Sequence, residues 1–230
     1  MWIQRLLYTV ARYFTLLYTR LLLEGSVYWH APLPEGPKLL VANHPSFSDP
    51  FLFTLLSNQP MSVLITATAF LIPLLGLYLR KSRHIPVVEG QGRPAYDEAL
   101  ARLKEGKTVA LFIEGTYSPP TGGFWPPRTG AVRMALEAGV PIVPVGINLI
   151  QERLHLIHGR IKGVTYPQYW YMRGPFHITV GNPITVEGDV ENRPHVVAES
   201  QRVMQHIIEL VEEGKHRLQE RLCKKKGVSP

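Results

Sequence analysis

An uncharged run of thirty residues constrains the fold of this sequence more than any other feature. It spans residues 50–79, and a run of that length belongs either to a membrane span or to a buried core. Pro60, Pro73 and Gly76 interrupt it, which argues against a single helix that crosses a bilayer. The run therefore predicts three buried elements of a folded domain, namely a helix over 50–57, a strand over 62–66 and a short apolar helix over 68–80.

Strand-like and helix-like segments alternate along the rest of the chain. This alternation is typical of an α/β domain in which helices cover a mixed, mostly parallel sheet. With 230 residues, the sequence suits one large domain with a helical appendage. We therefore expect an N-terminal segment 1–25 and a domain over 26–230. The further strands are predicted over 38–42, 85–88, 107–113, 142–147 and 176–180, and the helices over 94–104 and 130–138.

The N-terminal segment is predicted to be an amphipathic helix over residues 2–23. Arg5, Arg12 and Arg20 divide it, so it is neither a signal peptide nor a comfortable membrane span. The side of the helix away from its leucines is aromatic and cationic, which favours a helix that lies among lipid headgroups. The alternative is a helix that packs its apolar side on the protein's own core. That apolar side consists of Leu6, Leu7, Val10, Phe14, Leu17 and Leu21.

Charge and cysteine content limit the function classes. The formal net charge of +7 favours an anionic partner such as a lipid surface, a phosphorylated substrate or nucleic acid. The basic residues are scattered and no nucleic-acid motif is present, so nucleic-acid binding is disfavoured. Cys223 is the single cysteine, which excludes an internal disulfide and a Cys-based zinc site. A C-terminal helix over 194–222 precedes Lys224, Lys225 and Lys226, which are either a solvated end or a weak attraction to anionic lipid.

A histidine and a carboxylate follow the predicted strand 38–42. His44 and Asp49 are five residues apart, and Pro45 turns the chain between them. At that spacing the carboxylate can orient the imidazole and stabilise its protonated form, which leaves the other ring nitrogen as a general base. The alternative is structural, because Asp49 is also a suitable cap for the helix that follows.

Three further segments carry motif-like patterns. Glu114 and Gly115 follow the predicted strand 107–113, at the sheet edge where ligands bind, although a turn cap would use the same residue types. The strand around residues 140–147 has no titratable group, so we interpret it as structural. Gly90 and Gly92 are a weak match to a dinucleotide-binding turn, which lacks its third glycine here.

The order of these segments resembles the glycerolipid acyltransferases, typified by 1-acylglycerol-3-phosphate acyltransferase. NHPSFSD is similar to the family's first motif, EGTYS at 114–118 to its third, and VPIVPVG at 140–146 to its fourth. The resemblance covers residues 38–186. It implies transfer of a fatty acyl group from acyl-CoA or acyl carrier protein to a lipid hydroxyl, without metal or cofactor, at the cytoplasmic face of a membrane. It implies His44 and Asp49 as catalytic residues, and as substrate-binding residues Asn43, Glu114, Gly115, Thr116, Tyr117, Ser118 and Arg128.

Three departures from the family pattern change which acceptor lipid we expect. Tyr117 and Glu89 stand where the family has arginines thought to hold the acceptor's phosphate, and Thr66 replaces a lysine. Tyrosine offers one neutral hydrogen bond, and a glutamate repels phosphate. A hydroxyl acceptor with a larger, zwitterionic or uncharged head, such as a glycolipid or another membrane alcohol, therefore has equal weight with lysophosphatidic acid, although Arg128 or Arg93 could supply a cation.

The expected mechanism needs no covalent acyl-enzyme. His44 takes the proton of the acceptor hydroxyl, which attacks the donor thioester, and Asp49 orients His44. Cys223 lies outside every motif and no G-x-S-x-G elbow occurs, so neither usual nucleophile is favoured. Two rivals remain open: transacylation between lipids, and a lipid-binding protein that lacks activity.

Overall fold

The computed structural model describes residues 2–161 and 164–226. The side chains of residues 161, 164, 222 and 224–226 are not among those described, so the predicted lipid attraction of Lys224, Lys225 and Lys226 lies outside them. The helices are α1 (Trp2–Leu21), α2 (Asp49–Leu52), α3 (Leu75–Lys81), α4 (Gly92–Lys104), α5 (Gly130–Ala138) and α6 (Arg193–Lys226). The strands are β1 (Gly25–Trp29), β2 (Leu39–Ala42), β3 (Met61–Thr66), β4 (Ile85–Val87), β5 (Thr108–Phe112), β6 (Ile142–Leu149), β7 (Leu154–Ile161), β8 (Val164–Tyr171) and β9 (Phe176–Val180).

Seven strands form the central sheet, in the order β1-β9-β6-β2-β5-β3-β4. Every neighbouring pair is parallel except β6 and β9, which are antiparallel. The predicted mixed, mostly parallel sheet is therefore confirmed. Strands β7 and β8 form a separate antiparallel hairpin.

Strand β2 lies at the centre because both of its faces are apolar. Its four residues are completely buried, as expected for a parallel strand covered on both sides. Leu39 and Val41 pack into a core with α4, α5 and α6, while Leu40 and Ala42 pack into the core on the opposite face. This burial fixes the carboxyl end of β2, from which the first motif continues.

The predicted elements agree with the structure except in three places. The prediction of one continuous helix over 68–80 is wrong, because Pro73 separates the 3₁₀ turn Ala67–Leu71 from α3. The helix expected over 50–57 consists of α2 and the 3₁₀ turn Phe53–Leu55. Strand β1 and the β7–β8 hairpin were not predicted, because neither has a clear period-2 pattern of apolar residues.

Helix α1 turns its more polar side toward the domain. Tyr8, Thr15 and Thr19 are buried, and the Arg12 guanidinium donates to the carbonyl oxygens of Thr54 and Ser57. The predicted apolar stripe therefore faces outward and does not pack on the core, apart from the half-buried Leu7. Within the described ranges, no helix has the length and apolar character needed to cross a bilayer. The exposed apolar residues of α1 include Trp2, Ile3, Leu6, Val10, Tyr13, Phe14, Leu17 and Leu21.

Candidate active site

His44 and Asp49 are in direct contact at the carboxyl edge of the sheet. Nδ1 of His44 lies 2.9 Å from Oδ2 of Asp49, whose side chain is fully buried, whereas that of His44 is 15% exposed. Asp49 also accepts hydrogen bonds from the Ser46 backbone N–H, at 2.7 Å, and from the Ser46 hydroxyl. Because an ionised carboxylate only accepts, Nδ1 of His44 carries the hydrogen and Nε2 has the free lone pair.

The alternative role of Asp49 as a helix cap is not what the structure shows. Ser48 occupies the N-cap position of α2, and no side chain makes a capping hydrogen bond there. The Asp49 carboxylate instead turns back into its own loop. It is therefore placed to orient His44.

Aromatic rings surround the His44 imidazole. Phe112 stacks on it with ring centroids 3.8 Å apart and planes 9° from parallel, and the Tyr117 ring lies 4.5 Å away. Burial raises the pKa of the Tyr117 phenol far above its usual value, and the negative charge of Asp49 raises it further. Tyr117 is therefore a neutral neighbour of His44, at the position where the family pattern has arginine.

Glu114 joins the first and third motifs. The residue is 1% exposed. Its carboxylate accepts from the Ser118 hydroxyl, from the Trp125 backbone N–H at 2.8 Å and from the His44 backbone N–H at 3.4 Å. The His44 N–H also donates to Ser118 Oγ at 3.1 Å. Three parts of the chain therefore meet at this buried carboxylate.

Asn43 ties the end of β2 to β6. Its Oδ1 accepts from the backbone N–H of Ile147 at 2.8 Å, and its Nδ2 donates to the Ile147 carbonyl at 2.9 Å. The side chain is 3% exposed. Both polar side-chain atoms of Asn43 are thus bonded inside the protein, and Glu114 and Ser118 are also buried.

Gly115, Thr116 and Arg128 lie at the surface of this edge. Gly115 has a φ of 71°, and a Cβ there would stand 3.2 Å from Cγ of Arg128. The Arg128 backbone N–H donates to the Ile113 carbonyl at 2.7 Å, which sets its side chain beside the third motif. Arg93, the other candidate cation, instead pairs with Asp97 on its own helix at 2.9 Å.

The β7–β8 hairpin contributes residues that the sequence analysis missed. The backbone N–H of Phe47 donates to the Tyr169 carbonyl at 2.7 Å, and the rings of Phe47 and Trp170 stack at 4.4 Å. The Tyr169 ring meets Tyr117 edge-on at 5.5 Å. The only sequence signal is the aromatic cluster Tyr169, Trp170 and Tyr171, which marks a packing surface without naming its partner.

This arrangement places a His–Asp pair at the edge of a mostly parallel α/β sheet, with a neutral aromatic wall beside the imidazole. Within residues 2–161 and 164–226, no three His, Cys, Asp or Glu side chains form a group that could hold a metal ion. The family model described as Acyltransferase matches residues 26–148, which is more than half of the chain. The chain therefore belongs to the acyltransferase family.

Several named proteins are similar to this chain. The 1-acyl-sn-glycerol-3-phosphate acyltransferase BAT2, chloroplastic, of Brassica napus is 33% identical over 118 residues, which cover 50% of this chain and 33% of that protein. A 1-acyl-sn-glycerol-3-phosphate acyltransferase of Pseudomonas aeruginosa is 23% identical over 173 residues, covering 73% of this chain and 60% of that protein. The matched stretches thus span between about a third and three fifths of these relatives.

A solved structure has the same fold. The crystal structure of PlsC, the 1-acyl-sn-glycerophosphate (LPA) acyltransferase of Thermotoga maritima, matches with a TM-score of 0.66 and 23% identity. The match covers 91% of this chain and 79% of that chain. It agrees with the predicted α/β class and with helices at both ends of the chain.

Proposed function

We propose that this protein transfers a fatty acyl group from a thioester donor, acyl-CoA or acyl carrier protein, to a hydroxyl of a membrane-lipid acceptor. The observation that carries the proposal is the 2.9 Å contact between His44 Nδ1 and the buried Asp49 carboxylate. That contact leaves Nε2 of a partly exposed imidazole free to accept a proton. Membership of the acyltransferase family supports the reaction class.

In the proposed mechanism, Nε2 of His44 removes the proton of the acceptor hydroxyl as its oxygen attacks the thioester carbonyl. The tetrahedral intermediate then collapses, the carbon–sulfur bond breaks, and His44 returns the proton to the thiolate. Asp49 stabilises the imidazolium between these steps. The acyl group therefore moves without a covalent bond to the protein.

The remaining predicted site residues divide by their accessibility. Asn43, Glu114 and Ser118 are buried and bonded to the protein, so we assign them positioning roles. Gly115, Thr116 and Arg128 are assigned to acceptor contacts because they are exposed at the edge of the sheet that carries His44. Tyr117 is assigned to the wall of the acceptor site.

The acceptor is proposed to be a lysophospholipid or a related lipid alcohol. The relatives named as 1-acyl-sn-glycerol-3-phosphate acyltransferases support a phosphate-bearing acceptor. Within the part of the chain that the structure describes, the Arg128 guanidinium has no carboxylate partner, so one cation is available for phosphate. Neutral Tyr117 beside the base equally supports a glycolipid or another alcohol without phosphate.

We further propose that α1 attaches residues 26–230 to the cytoplasmic face of a membrane. Its outward face carries exposed Trp2, Leu6 and Phe14, and its inward face is held by the Arg12 hydrogen bonds. A helix with that division suits the boundary between headgroups and acyl chains. The lipid acceptor would then be reached from the same surface.

A product scan with matched variants tests the proposed reaction. Purified protein would be given acyl-CoA or acyl carrier protein thioesters and a panel of lysophosphatidic acid, zwitterionic lysophospholipids, glycolipids and neutral alcohols, and new esters would be detected by mass spectrometry. His44→Ala should lower the rate by at least about 100-fold, the loss typical of a positioned general base. His216→Ala is the control, because His216 is exposed on α6.

Each outcome decides a different point. An ester that requires His44 and a thioester donor supports acyl transfer and identifies the acceptor, whereas ester formation without a thioester supports transacylation between lipids. Full activity in His44→Ala would contradict the mechanism. Lipid binding without any product would favour a lipid-binding protein that lacks activity.

A further inference from the structure

Three leucines project from the segment 71–77, which runs from the end of the 3₁₀ turn Ala67–Leu71 into the start of helix α3. Leu74 is 82% exposed, Leu77 is 53% exposed and Leu71 is 46% exposed. Leu74 is the most exposed large apolar side chain among the described residues. Single exposed leucines are ordinary, but three on one short segment form an apolar patch. We call Leu71, Leu74 and Leu77 the leucine knuckle.

The backbone at the tip of the knuckle is strained. Leu74 has φ 63° and ψ −52°, and the N–H of Leu75 donates to the carbonyl of Pro73 at 2.7 Å. This is a γ-turn with positive φ, a rare and strained conformation. An exposed leucine at such a position stabilises neither the core of the domain nor its contact with water. The turn therefore indicates that Leu74 contacts something other than this domain.

Contacts beneath the tip hold the knuckle in place. The Phe70 carbonyl accepts a hydrogen bond from the Arg80 guanidinium at 2.7 Å, and a Cβ on Gly76 would come within 2.1 Å of the same oxygen. Phe70 and Leu79 are buried in a small apolar core. The knuckle is therefore a fixed projection with its own supporting core.

Cationic side chains follow the knuckle directly. Arg80, Lys81 and Arg83 are exposed. Over residues 2–161 and 164–226, none of the three forms an ion pair with a carboxylate. An apolar tip beside unpaired cations is complementary to a bilayer surface that contains anionic headgroups.

Helix α3, which carries Leu77, also packs against α1. Gln4 Nε2 donates to the Ser82 carbonyl at 3.3 Å. The exposed residues Trp2 and Leu6 lie on the same part of α1. Helix α3 therefore joins the start of α1 to the segment that carries the knuckle.

We propose that the leucine knuckle inserts into the interfacial region of an anionic bilayer, as a second anchor beside α1. Leu71, Leu74 and Leu77 enter the boundary of the acyl chains, and Arg80, Lys81 and Arg83 contact headgroup phosphates. The inference rests on the membrane attachment proposed above. Two anchors at separate points fix the orientation of the domain on the membrane, which one helix alone does not.

Site-specific fluorescence tests the insertion directly. In full-length protein carrying Cys223→Ser, an environment-sensitive fluorophore would be attached through Leu74→Cys, through Val10→Cys on α1, or through Val197→Cys on α6 as the control. Vesicles of phosphatidylcholine and phosphatidylglycerol, with and without a lipid-borne quencher, provide the bilayer. We expect blue-shifted and quenched emission from the labels at 74 and 10, and no change from the label at 197.

Other results overturn the proposal in distinguishable ways. If the label at 10 enters lipid and the label at 74 stays in water, α1 attaches the protein and the knuckle does not insert. If neither label responds, the proposed attachment itself fails. If the label at 74 shifts without vesicles as the protein concentration rises, a second copy of the chain covers the knuckle.

Unlabelled variants measure the size of the effect. Leu74→Asn keeps a residue that tolerates positive φ and should weaken partitioning to these vesicles roughly tenfold, the loss expected for one interfacial leucine. Lys81→Gln combined with Arg83→Gln should remove most of the preference for vesicles that contain phosphatidylglycerol. Val197→Asn should leave partitioning unchanged, and an equal loss in this control would contradict insertion at the knuckle.

Discussion

His44 and Ser118 hold each other through two hydrogen bonds. The backbone N–H of Ser118 donates to the His44 carbonyl at 2.8 Å, and the backbone N–H of His44 donates to Ser118 Oγ at 3.1 Å. The residues belong to loops that follow two adjacent parallel strands, β2 and β5. The position of the proposed base therefore depends on the third motif as well as on Asp49.

Ser118→Ala should reduce activity more than stability alone explains. The variant removes the hydroxyl from His44 and Glu114, and a small displacement of a catalytic group can lower the rate by up to about 100-fold. The measurement is the rate of ester formation together with the melting temperature.

Ser200→Ala is the matched control for this variant. Ser200 is a buried serine of α6 whose hydroxyl donates to the Val196 carbonyl at 2.8 Å. It should lose about 1 kcal/mol for its one hydrogen bond, less than Ser118→Ala loses for two, and keep its rate. Equal rate losses in the two variants would contradict the positioning role of Ser118.

Asn43→Ala should destabilise the domain. The substitution leaves both backbone groups of Ile147 in β6 without their partner, and two buried unsatisfied groups should lower the free energy of unfolding by about 3 kcal/mol. Urea unfolding measures the loss. Asn182→Ala, at an exposed position, should change it little, and a similar loss there would contradict this account.

Gly146→Ala should also destabilise the domain, for a steric reason. A Cβ on Gly146 would stand 2.6 to 2.7 Å from atoms of Leu210 and Val211 in α6, so the helix would have to move away from β6. Overpacking of this kind costs about 1–3 kcal/mol. Gly130→Ala, where a Cβ meets nothing within 4 Å, should be neutral or stabilising in thermal unfolding. If Gly146→Ala lost activity but kept full stability, Gly146 would have a role in the reaction and not in packing.

Stability should fall on acidification, in part through His84. Burial lowers the pKa of His84 to about 4, and its Nδ1 accepts the Val63 N–H at 3.1 Å. A histidine in the unfolded chain has a pKa near 6.5. As the pH falls from 6.5 to 4, the unfolded chain therefore binds a proton at His84 and the folded chain does not. The free energy of unfolding is therefore about 3 kcal/mol lower at pH 4 than above pH 6.5.

His84→Gln checks the assignment, because the glutamine oxygen can still accept from Val63 but does not titrate. Urea midpoints at neutral and acidic pH should differ less in this variant than in the parent protein. His177, whose pKa burial and the nearby Arg221 and Arg217 also lower to about 4, is present in both proteins and cancels in the comparison. Identical pH dependence in both would exclude His84 as a source.

The sequence predicted those parts of the site that depend on neighbouring residues. His44 and Asp49 share one loop after an apolar strand, so their approach follows from local spacing and a turn at Pro45. The family resemblance assigned Arg128 to the substrate-binding residues, and the structure places its side chain beside Gly115 of the third motif. Their catalytic and binding roles stay predictions until the variants are measured.

Contacts between distant segments could not be predicted in the same way. Spacing does not show that Glu114 turns inward to the N–H of Trp125, or that Tyr169 reaches Phe47 from the hairpin. Strand β1 was missed because it is short, lies at the sheet edge and shows no regular alternation of buried residues. The outward apolar face of α1 depends on what the domain offers beneath it, which is a set of carbonyl groups suited to Arg12.

Strand β1 is synthesised early but can enter the sheet only late, because its partner β9 lies near the other end of the sequence. Gly25 pairs with Phe176, so the edge strand next to α1 cannot join the sheet until about 150 further residues have been made, roughly 8 to 30 s at ribosomal rates. During that interval α1 is already outside the ribosome with its apolar face uncovered. With α1 attached as proposed, the nascent chain would meet the membrane first and complete its sheet there.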